Sequence, residues 1–164
     1  MDLQSIARRL QSSKELVIRE IVLDNAQKKN QIIYGARAIN SQLPAYLRKK
    51  TSDYDILTNK PMKSAKELAI ELNRRLHNEE FKVVKAKHKG TYKIKDSQGK
   101  TIVDYTQLKR KPKSIKYYGN SFYDLKSIKK NINRSLKNPK NYFRKEKDLD
   151  SLRRIKYSFE SNLF

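Results

Sequence analysis

Two aspartates at alternate positions in an apolar segment constrain this chain most. Residues 52–56 read Ser-Asp-Tyr-Asp-Ile. In a strand, Asp53 and Asp55 point to one face, and the apolar side chains next to them point to the other. The two carboxylates repel each other unless a cation joins them, and Mg²⁺ binds through one or two carboxylates plus the phosphate oxygens of a substrate. The segment therefore predicts a strand with a core face and a metal face, and indicates phosphoryl or nucleotidyl transfer.

A glycine precedes a predicted helix shortly before the acidic strand. Residues 34–40 read Tyr-Gly-Ala-Arg-Ala-Ile-Asn, and Gly35 follows a strand predicted over 31–34. Backbone N–H groups at a helix N-terminus receive phosphate, and Arg37 in the first turn can add a bidentate contact to a triphosphate. An ordinary strand-to-helix turn would contain the same glycine. Only its pairing with the acidic strand favours a phosphate site.

A third aspartate, Asp104, stands between apolar neighbours in the segment 102–106. A carboxylate framed in this way is rarely buried without a partner. We expect Asp104 to join Asp53 and Asp55 around divalent ions, Mg²⁺ or Mn²⁺, and to bind the ion that activates the nucleophile. A structural ion pair with one of the many nearby cations is the alternative for Asp104.

Composition excludes several other kinds of site. The 164 residues contain no cysteine, so disulfides and thiolate metal sites are absent, and His77 and His88 alone are too few for a histidine-rich zinc site. The first residues lack the pattern of a signal peptide, and no apolar run approaches the length of a membrane span. We expect a soluble cytoplasmic protein.

The net charge of +22 is concentrated downstream of the acidic strand. Residues 109–157 contain 17 Lys and Arg against 4 Asp and Glu, whereas residues 1–60 contain 11 against 6. A concentration of positive charge of this kind attracts a polyanion such as nucleic acid. The alternative interpretation is a lysine-rich surface that is only solvated. Tyr117, Tyr118 and Tyr123 lie among these cations, where they either stack on bases or pack the tail onto the core. The predicted nucleic-acid contacts are Lys111, Lys113, Lys116, Lys126, Lys129, Lys130 and Arg134.

Periodicity along the chain predicts an α/β (α+β) protein with a mixed sheet flanked by helices and a helical C-terminal extension. Residues 1–110 are expected to form the catalytic core with N-terminal helices, and 111–164 a basic helical extension packed on it, with a hinge at 109–116. The predicted elements are helical segments within 3–29, strands 31–34 and 53–57, helices 36–47 and 61–76, strands 81–87, 91–95 and 101–106, and helices 121–136 and 143–160.

Five motifs in a fixed order resemble a known family. They are residues 34–40, 52–56, 88–93 and 102–106, and the segment from Asn138 through Arg144–Asp148 to Arg153. Together they are similar to the DNA polymerase beta-like nucleotidyltransferase superfamily, and within it to the poly(A) polymerase catalytic subunits of large DNA viruses. The superfamily turn usually contains Gly-Gly or Gly-Ser, whereas Ala36 and Arg37 follow the glycine here.

The resemblance implies a two-metal, virus-encoded enzyme that adds nucleoside monophosphates, AMP above all, from ATP or another triphosphate to an RNA 3′ end. It implies that the three aspartates bind metal, and either a homodimer or a separate processivity partner. The alternatives are a minimal nucleotidyltransferase that modifies tRNA or protein, and a catalytically silent RNA-binding accessory subunit. The implied nucleotide-binding residues are Gly35, Ala36, Arg37, Asn40, Arg144 and Lys147.

Overall fold

The computed structural model describes residues 2–161. Its helices are α1 (Leu3–Lys28), α2 (Gly35–Ser41), α3 (Pro61–Arg75), α4 (Leu125–Leu136) and α5 (Lys145–Ser161), with 3-10 turns at Ala45–Leu47 and Pro139–Arg144. Its strands are β1 (Ile32–Tyr34), β2 (Tyr54–Thr58), β3 (Lys82–Lys85), β4 (Thr91–Lys95), β5 (Thr101–Gln107), β6 (Ser114–Tyr117) and β7 (Asn120–Tyr123). They form one sheet in the order β3-β4-β5-β2-β1-β7-β6, in which β1 is parallel to β7 and β2 is parallel to β5. The mixed sheet flanked by helices is as predicted.

Helix α1 runs without interruption, so the prediction of two helical segments, or of one interrupted helix, within 3–29 is wrong. The Asp2 side chain caps it by accepting a hydrogen bond from the Ser5 backbone N–H at 2.7 Å. No glycine or proline occurs within it, so nothing in its sequence stops the backbone ladder. Its buried residues all lie in the second half, and Leu3 and Leu10 are exposed. Within residues 2–161, no helix combines the length and apolar character needed to cross a membrane.

Two apolar clusters cover the two faces of the sheet. Alternate residues of the central strands, including Ile33, Ile56 and Val103, pack against α1 and the buried face of α3. The second cluster joins α2, α4 and α5, with Ile39 and Ile155 among its buried members. Because α2 contacts β1, β2 and β7, this cluster covers one part of the second face and leaves β5 and β4 uncovered by it.

The hairpin of β6 and β7 is absent from the sequence-based prediction, which has a hinge over 109–116 and a helix from 121. Instead, β7 pairs in parallel with β1, and Phe122 lies opposite Ile33. Phe122 contacts both apolar clusters, and this packing favours a strand where the local pattern resembles a helix start. The helix begins only at Leu125, with Asp124 as its cap. The domain division at residue 110 stays a prediction, although the sheet continues across it and the segment after it is not wholly helical.

Candidate active site

The candidate site is a row of side chains across four adjacent strands. Tyr34 of β1 lies opposite Asp55 of β2, Asp55 lies opposite Asp104 of β5, and Asp104 lies opposite Lys93 of β4. Residues in register on neighbouring strands project from the same face. Asp53 precedes β2, and carboxylate oxygens of Asp53, Asp55 and Asp104 lie within 4.8 Å of one another. The three aspartates singled out in the sequence are therefore neighbours in space.

The cluster of three acids is short of positive charge. Burial, then the charge of Asp53, then that of Asp104, raises the pKa of Asp55 to about 7, and the charge of Lys147 acts in the opposite direction. Lys93 Nζ lies 3.0 Å from Oδ1 of Asp104, so part of the charge is already paired. A set of carboxylate oxygens suits Mg²⁺ or Mn²⁺ and does not suit a soft metal. The donor set and the unfavourable charge of Asp55 thus both fit a hard divalent cation.

Gly35 allows α2 to start directly against Asp55. Its φ of +68° lies in the left-handed region, which side chains with a Cβ avoid. A Cβ built on Gly35 would lie 3.1 Å from Cγ of Asp55 and even closer to one of its carboxylate oxygens. Both the backbone conformation and this close approach therefore require glycine at position 35. Ala36 follows in the first turn of α2.

Arg37 and Asn40 hold the loop that leads into β2. Arg37 donates from Nε to the Asp53 carbonyl at 2.8 Å and from Nη2 to the Thr51 carbonyl at 3.2 Å. Its guanidinium also lies 3.7 Å from the centre of the Tyr54 ring, and burial lowers its pKa. Asn40 donates to the Lys49 carbonyl at 2.6 Å and accepts from the Lys49 N–H at 3.0 Å. Contact of either side chain with a nucleotide stays a prediction, and both already position the backbone beside Asp53.

Replacing Arg37 with Lys is expected to lower the melting temperature by about 5 °C. Lysine cannot hold two carbonyls and stack on a ring, so about 1–2 kcal/mol of stabilisation is lost. Thermal unfolding and the KM for the triphosphate should be measured on the same protein. A raised KM with an unchanged melting temperature would contradict the bracing role and favour direct contact with the triphosphate.

Two predicted cations come near the acidic row from the junction of the Pro139–Arg144 turn with α5. Lys147 is near enough to Asp55 to counter the rise in its pKa, and Arg144 acts in the same way on the pKa of Tyr34. Arg144 Nη2 also lies 3.7 Å from Oδ1 of the buried Asp148. Of the six implied nucleotide-binding residues, Gly35, Arg144 and Lys147 thus lie beside the acidic row, whereas Arg37 and Asn40 contact the loop.

The sequence reading missed Lys93 and a chain of hydroxyl groups at the same row. The Tyr34 hydroxyl is 2.8 Å from Oγ1 of Thr106, which is 3.0 Å from Oγ1 of Thr91. Burial, and after it the charge of Asp55, raises the pKa of Tyr34 to about 12, so this phenol stays protonated. Thr106 could have been found from the sequence because it is two residues after Asp104 on the same strand face. Lys93 could not, because its register with Asp104 is tertiary.

The predicted nucleic-acid contacts occupy two exposed regions. Lys111 and Lys113 precede β6, and Lys116 lies on it, with all three exposed. Lys129 Nζ lies 5.6 Å from the centre of the Phe159 ring of α5. One side of α4 carries an open depression of about 430 Å³, which we call the α4 basic face; its lining residues are Lys126, Lys129, Lys130, Asn133, Arg134 and Lys137.

Comparison with known proteins bears on this arrangement of acids and cations. The chain is similar in structure to the Megavirus polyadenylate synthase, with a TM-score of 0.77 and 18% sequence identity over 95% of this chain. It spans 36% of the length of that protein. None of the curated proteins matches the chain. The sequence model of the poly(A) polymerase catalytic subunit matches residues 20–141, which include Asp53, Asp55 and Asp104. The chain therefore belongs to the poly(A) polymerase catalytic subunit family.

Proposed function

We propose that this chain is a template-independent nucleotidyltransferase that adds AMP from ATP to an RNA 3′ end. The observation that carries the proposal is the convergence of Asp53, Asp55 and Asp104, whose carboxylate oxygens lie within 4.8 Å of one another. Membership of the poly(A) polymerase catalytic subunit family supports both the nucleotide and the acceptor. Resemblance to subunits of large DNA viruses supports a virus-encoded enzyme that acts in the cytoplasm.

Asp53 and Asp55 are the residues that would hold both divalent ions, and Asp104 would complete the site of the ion on the acceptor side. Bound Mg²⁺ or Mn²⁺ would supply charge neutralisation on the triphosphate and a lowered pKa for the attacking hydroxyl. Lys93, which pairs with Asp104 at 3.0 Å, balances part of the acidic charge before an ion binds.

The chemistry that fits this row is in-line attack of an RNA 3′ oxygen on the α-phosphorus of the triphosphate. A new phosphorus–oxygen bond forms, the bond from the α-phosphorus to the bridging oxygen breaks, and pyrophosphate leaves. Lys147 in the first turn of α5 and Arg144 just before that helix are the cations that would bind the triphosphate charge, since they already act on Asp55 and Tyr34. The backbone at Gly35 and Ala36 would receive a phosphate oxygen beside them.

The experiment that tests the proposal is an incorporation assay with each of the four nucleoside triphosphates on an RNA primer. Extension by ATP, dependent on Mg²⁺ or Mn²⁺ and abolished by a chelator, is expected. Labelling of tRNA or of a protein while the primer stays unextended would favour a modifying nucleotidyltransferase. RNA binding without metal-dependent incorporation into any acceptor would favour a silent accessory subunit. Sizing the active species tests whether a second copy or a separate subunit supplies processivity.

We propose that the α4 basic face follows the phosphate backbone of the acceptor RNA. Replacing four of its five cations with Gln should weaken RNA binding and flatten its salt dependence by up to about 0.7 log units per lost phosphate contact. Transfer to a saturating short primer should change little, because the acidic row is intact. The substitutions are made together at Lys126, Lys129, Lys130 and Arg134.

A matched set of substitutions controls for the loss of total charge. It removes four exposed cations from α3, which covers the face of the sheet opposite to α4, and from β3, which is the edge strand opposite to β6. Filter binding or anisotropy over a range of salt concentrations gives the slope for both proteins. Equal slopes in the two sets would show that the α4 basic face is only solvated. The control residues are Lys66, Arg75, Lys82 and Lys85.

A further inference from the structure

The tip of the hairpin between β6 and β7 carries an aromatic residue in an unfavourable backbone conformation. Tyr117 and Asn120 form the closing pair, so the loop contains only Tyr118 and Gly119. Both have positive φ, +48° and +83°. Two-residue hairpins of this kind favour Asn-Gly, because a residue with a bulky side chain pays a steric penalty in the left-handed region. Tyrosine is therefore a costly choice at position 118.

No packing within the described part of the chain compensates for this cost. The Tyr118 side chain is 99% exposed, whereas Tyr117 is 42% exposed. Tyr123, the third tyrosine of this region, packs against the second apolar cluster and accepts a hydrogen bond from Asn131 at 2.8 Å. Packing onto the core therefore accounts for Tyr123 and not for Tyr118. A strained and fully exposed aromatic side chain is an observation that points to a ligand.

The surroundings of Tyr118 are basic and lie at a free sheet edge. All four residues of β6 are exposed, and β6 is the last strand of the sheet. Lys116, two residues before Tyr118, is exposed as well, and exposed Lys113 lies just beyond the far end of the same strand. An aromatic platform beside cations is how proteins bind single-stranded nucleic acid, with bases stacked on the ring and phosphates near the lysines.

We propose that Tyr118 stacks on a base of single-stranded RNA at a contact separate from the acidic row. The inference rests on the proposed function and adds an acceptor site to it. Because β7 is parallel to β1, the hairpin tip lies at the end of the sheet away from Gly35. Phe122 lies opposite Ile33, so Tyr123 is level with Tyr34. Tyr118 is five residues before Tyr123, which corresponds to roughly 16 Å along the strand. Tyr118 therefore contacts RNA upstream of the 3′ end, and a primer too short to span this distance does not reach it.

The absence of tryptophan from the chain gives a direct test. Tyr118→Trp creates a single-tryptophan protein whose fluorescence should be quenched when long single-stranded RNA binds. An abasic ribose-phosphate oligomer of the same length should bind without quenching, because it has no base to stack. Tyr157→Trp on α5, where the native tyrosine is 60% exposed, is the matched control and should show no quenching. Unchanged fluorescence of the Tyr118→Trp protein at saturating RNA would overturn the inference.

A second variant separates stacking from folding. Asn adopts the left-handed region more readily than Tyr, so Tyr118→Asn should raise the melting temperature while it weakens binding of long RNA about tenfold. Tyr118→Phe should bind as the parent does. A Tyr118→Asn protein that binds long RNA as tightly as the parent would also overturn the inference.

Primer length distinguishes failure of this inference from failure of the proposed function. Extension of a trinucleotide primer should be the same in the parent and in Tyr118→Asn, since only longer RNA reaches the tip. Quenching in a protein that extends no primer would uphold stacking and overturn the proposed activity. Normal primer extension without quenching would overturn stacking by Tyr118 and uphold the proposed activity.

Discussion

Replacing Asp55 with Asn is expected to reduce nucleotide transfer by at least about 10³-fold, because several kilocalories of metal-dependent stabilisation are lost. The metal-free protein should at the same time become more stable. Asp55 is surrounded by Asp53 and Asp104, and removing its charge relieves repulsion that burial makes stronger. Incorporation assays and thermal unfolding in a chelator measure the two effects. Asp24→Asn, which removes an exposed carboxylate paired with Lys28, is the control and should leave transfer unchanged.

The same variant should change how stability depends on pH. Burial and the neighbouring acids raise the pKa of Asp55 from 3.8 to about 7 in the folded protein, so the folded state binds the proton more tightly than the unfolded state does. Stability of the metal-free parent should therefore fall as pH rises from about 4 to about 7. Urea midpoints measured in a chelator across this range should show a smaller fall for Asp55→Asn. Equal pH dependence of the two proteins, or retained turnover in the variant, would contradict a shared cation site.

Replacing Gly35 with Ala is expected to lower transfer by about 100-fold and also to destabilise the fold. The φ of +68° costs an alanine about 1–2 kcal/mol, and the new Cβ would meet the Asp55 carboxylate. Asp55 then has to move, and displacement of a catalytic group by about 1 Å costs on the order of 10² in rate. Steady-state kinetics and thermal unfolding give the two quantities.

Gly99→Ala provides the control for backbone strain alone. Gly99 has a φ of +78°, similar to that of Gly35, but an added Cβ there would find no atom within 4 Å. This variant should lose stability to a comparable extent and keep its activity. A Gly35→Ala protein that loses stability but transfers nucleotide normally would show that the close approach to Asp55 is not needed for the reaction.

Local patterns in the sequence were enough to predict the central elements and the acidic cluster. The alternation around Asp53 and Asp55 predicted a strand with two faces, and β2 buries Tyr54 and Ile56 on the face opposite the acids. The apolar repeat from Ala65 predicted α3, whose buried residues follow the same spacing. These predictions succeed because the spacing of apolar residues along a helix or strand is a property of the local sequence. Once the apolar face is buried, the orientation of the remaining side chains of that element follows.

The predicted nucleotide contacts show where local reasoning stops. The sequence predicted a contact between Arg37 and a triphosphate, and it could not show that the guanidinium donates to backbone carbonyls and stacks on Tyr54. A side chain with five donors has many partners in reach, and loop geometry selects among them. Lys147 comes near Asp55 because α5 packs through Ile155 into one apolar cluster with α2 and α4, which is a tertiary arrangement.

Local sequence pattern is sufficient to specify the two-faced acidic strand, the amphipathic helix that follows it and the basic character of the C-terminal third. Tertiary structure alone decided the β6–β7 hairpin, the ion pair between Lys93 and Asp104 and the exposure of Tyr118. Each of these depends on register or packing between segments distant in the chain. A segment such as 114–123, whose own pattern is weak, takes its structure from the strand that it pairs with, because pairing with β1 satisfies its backbone and buries Phe122.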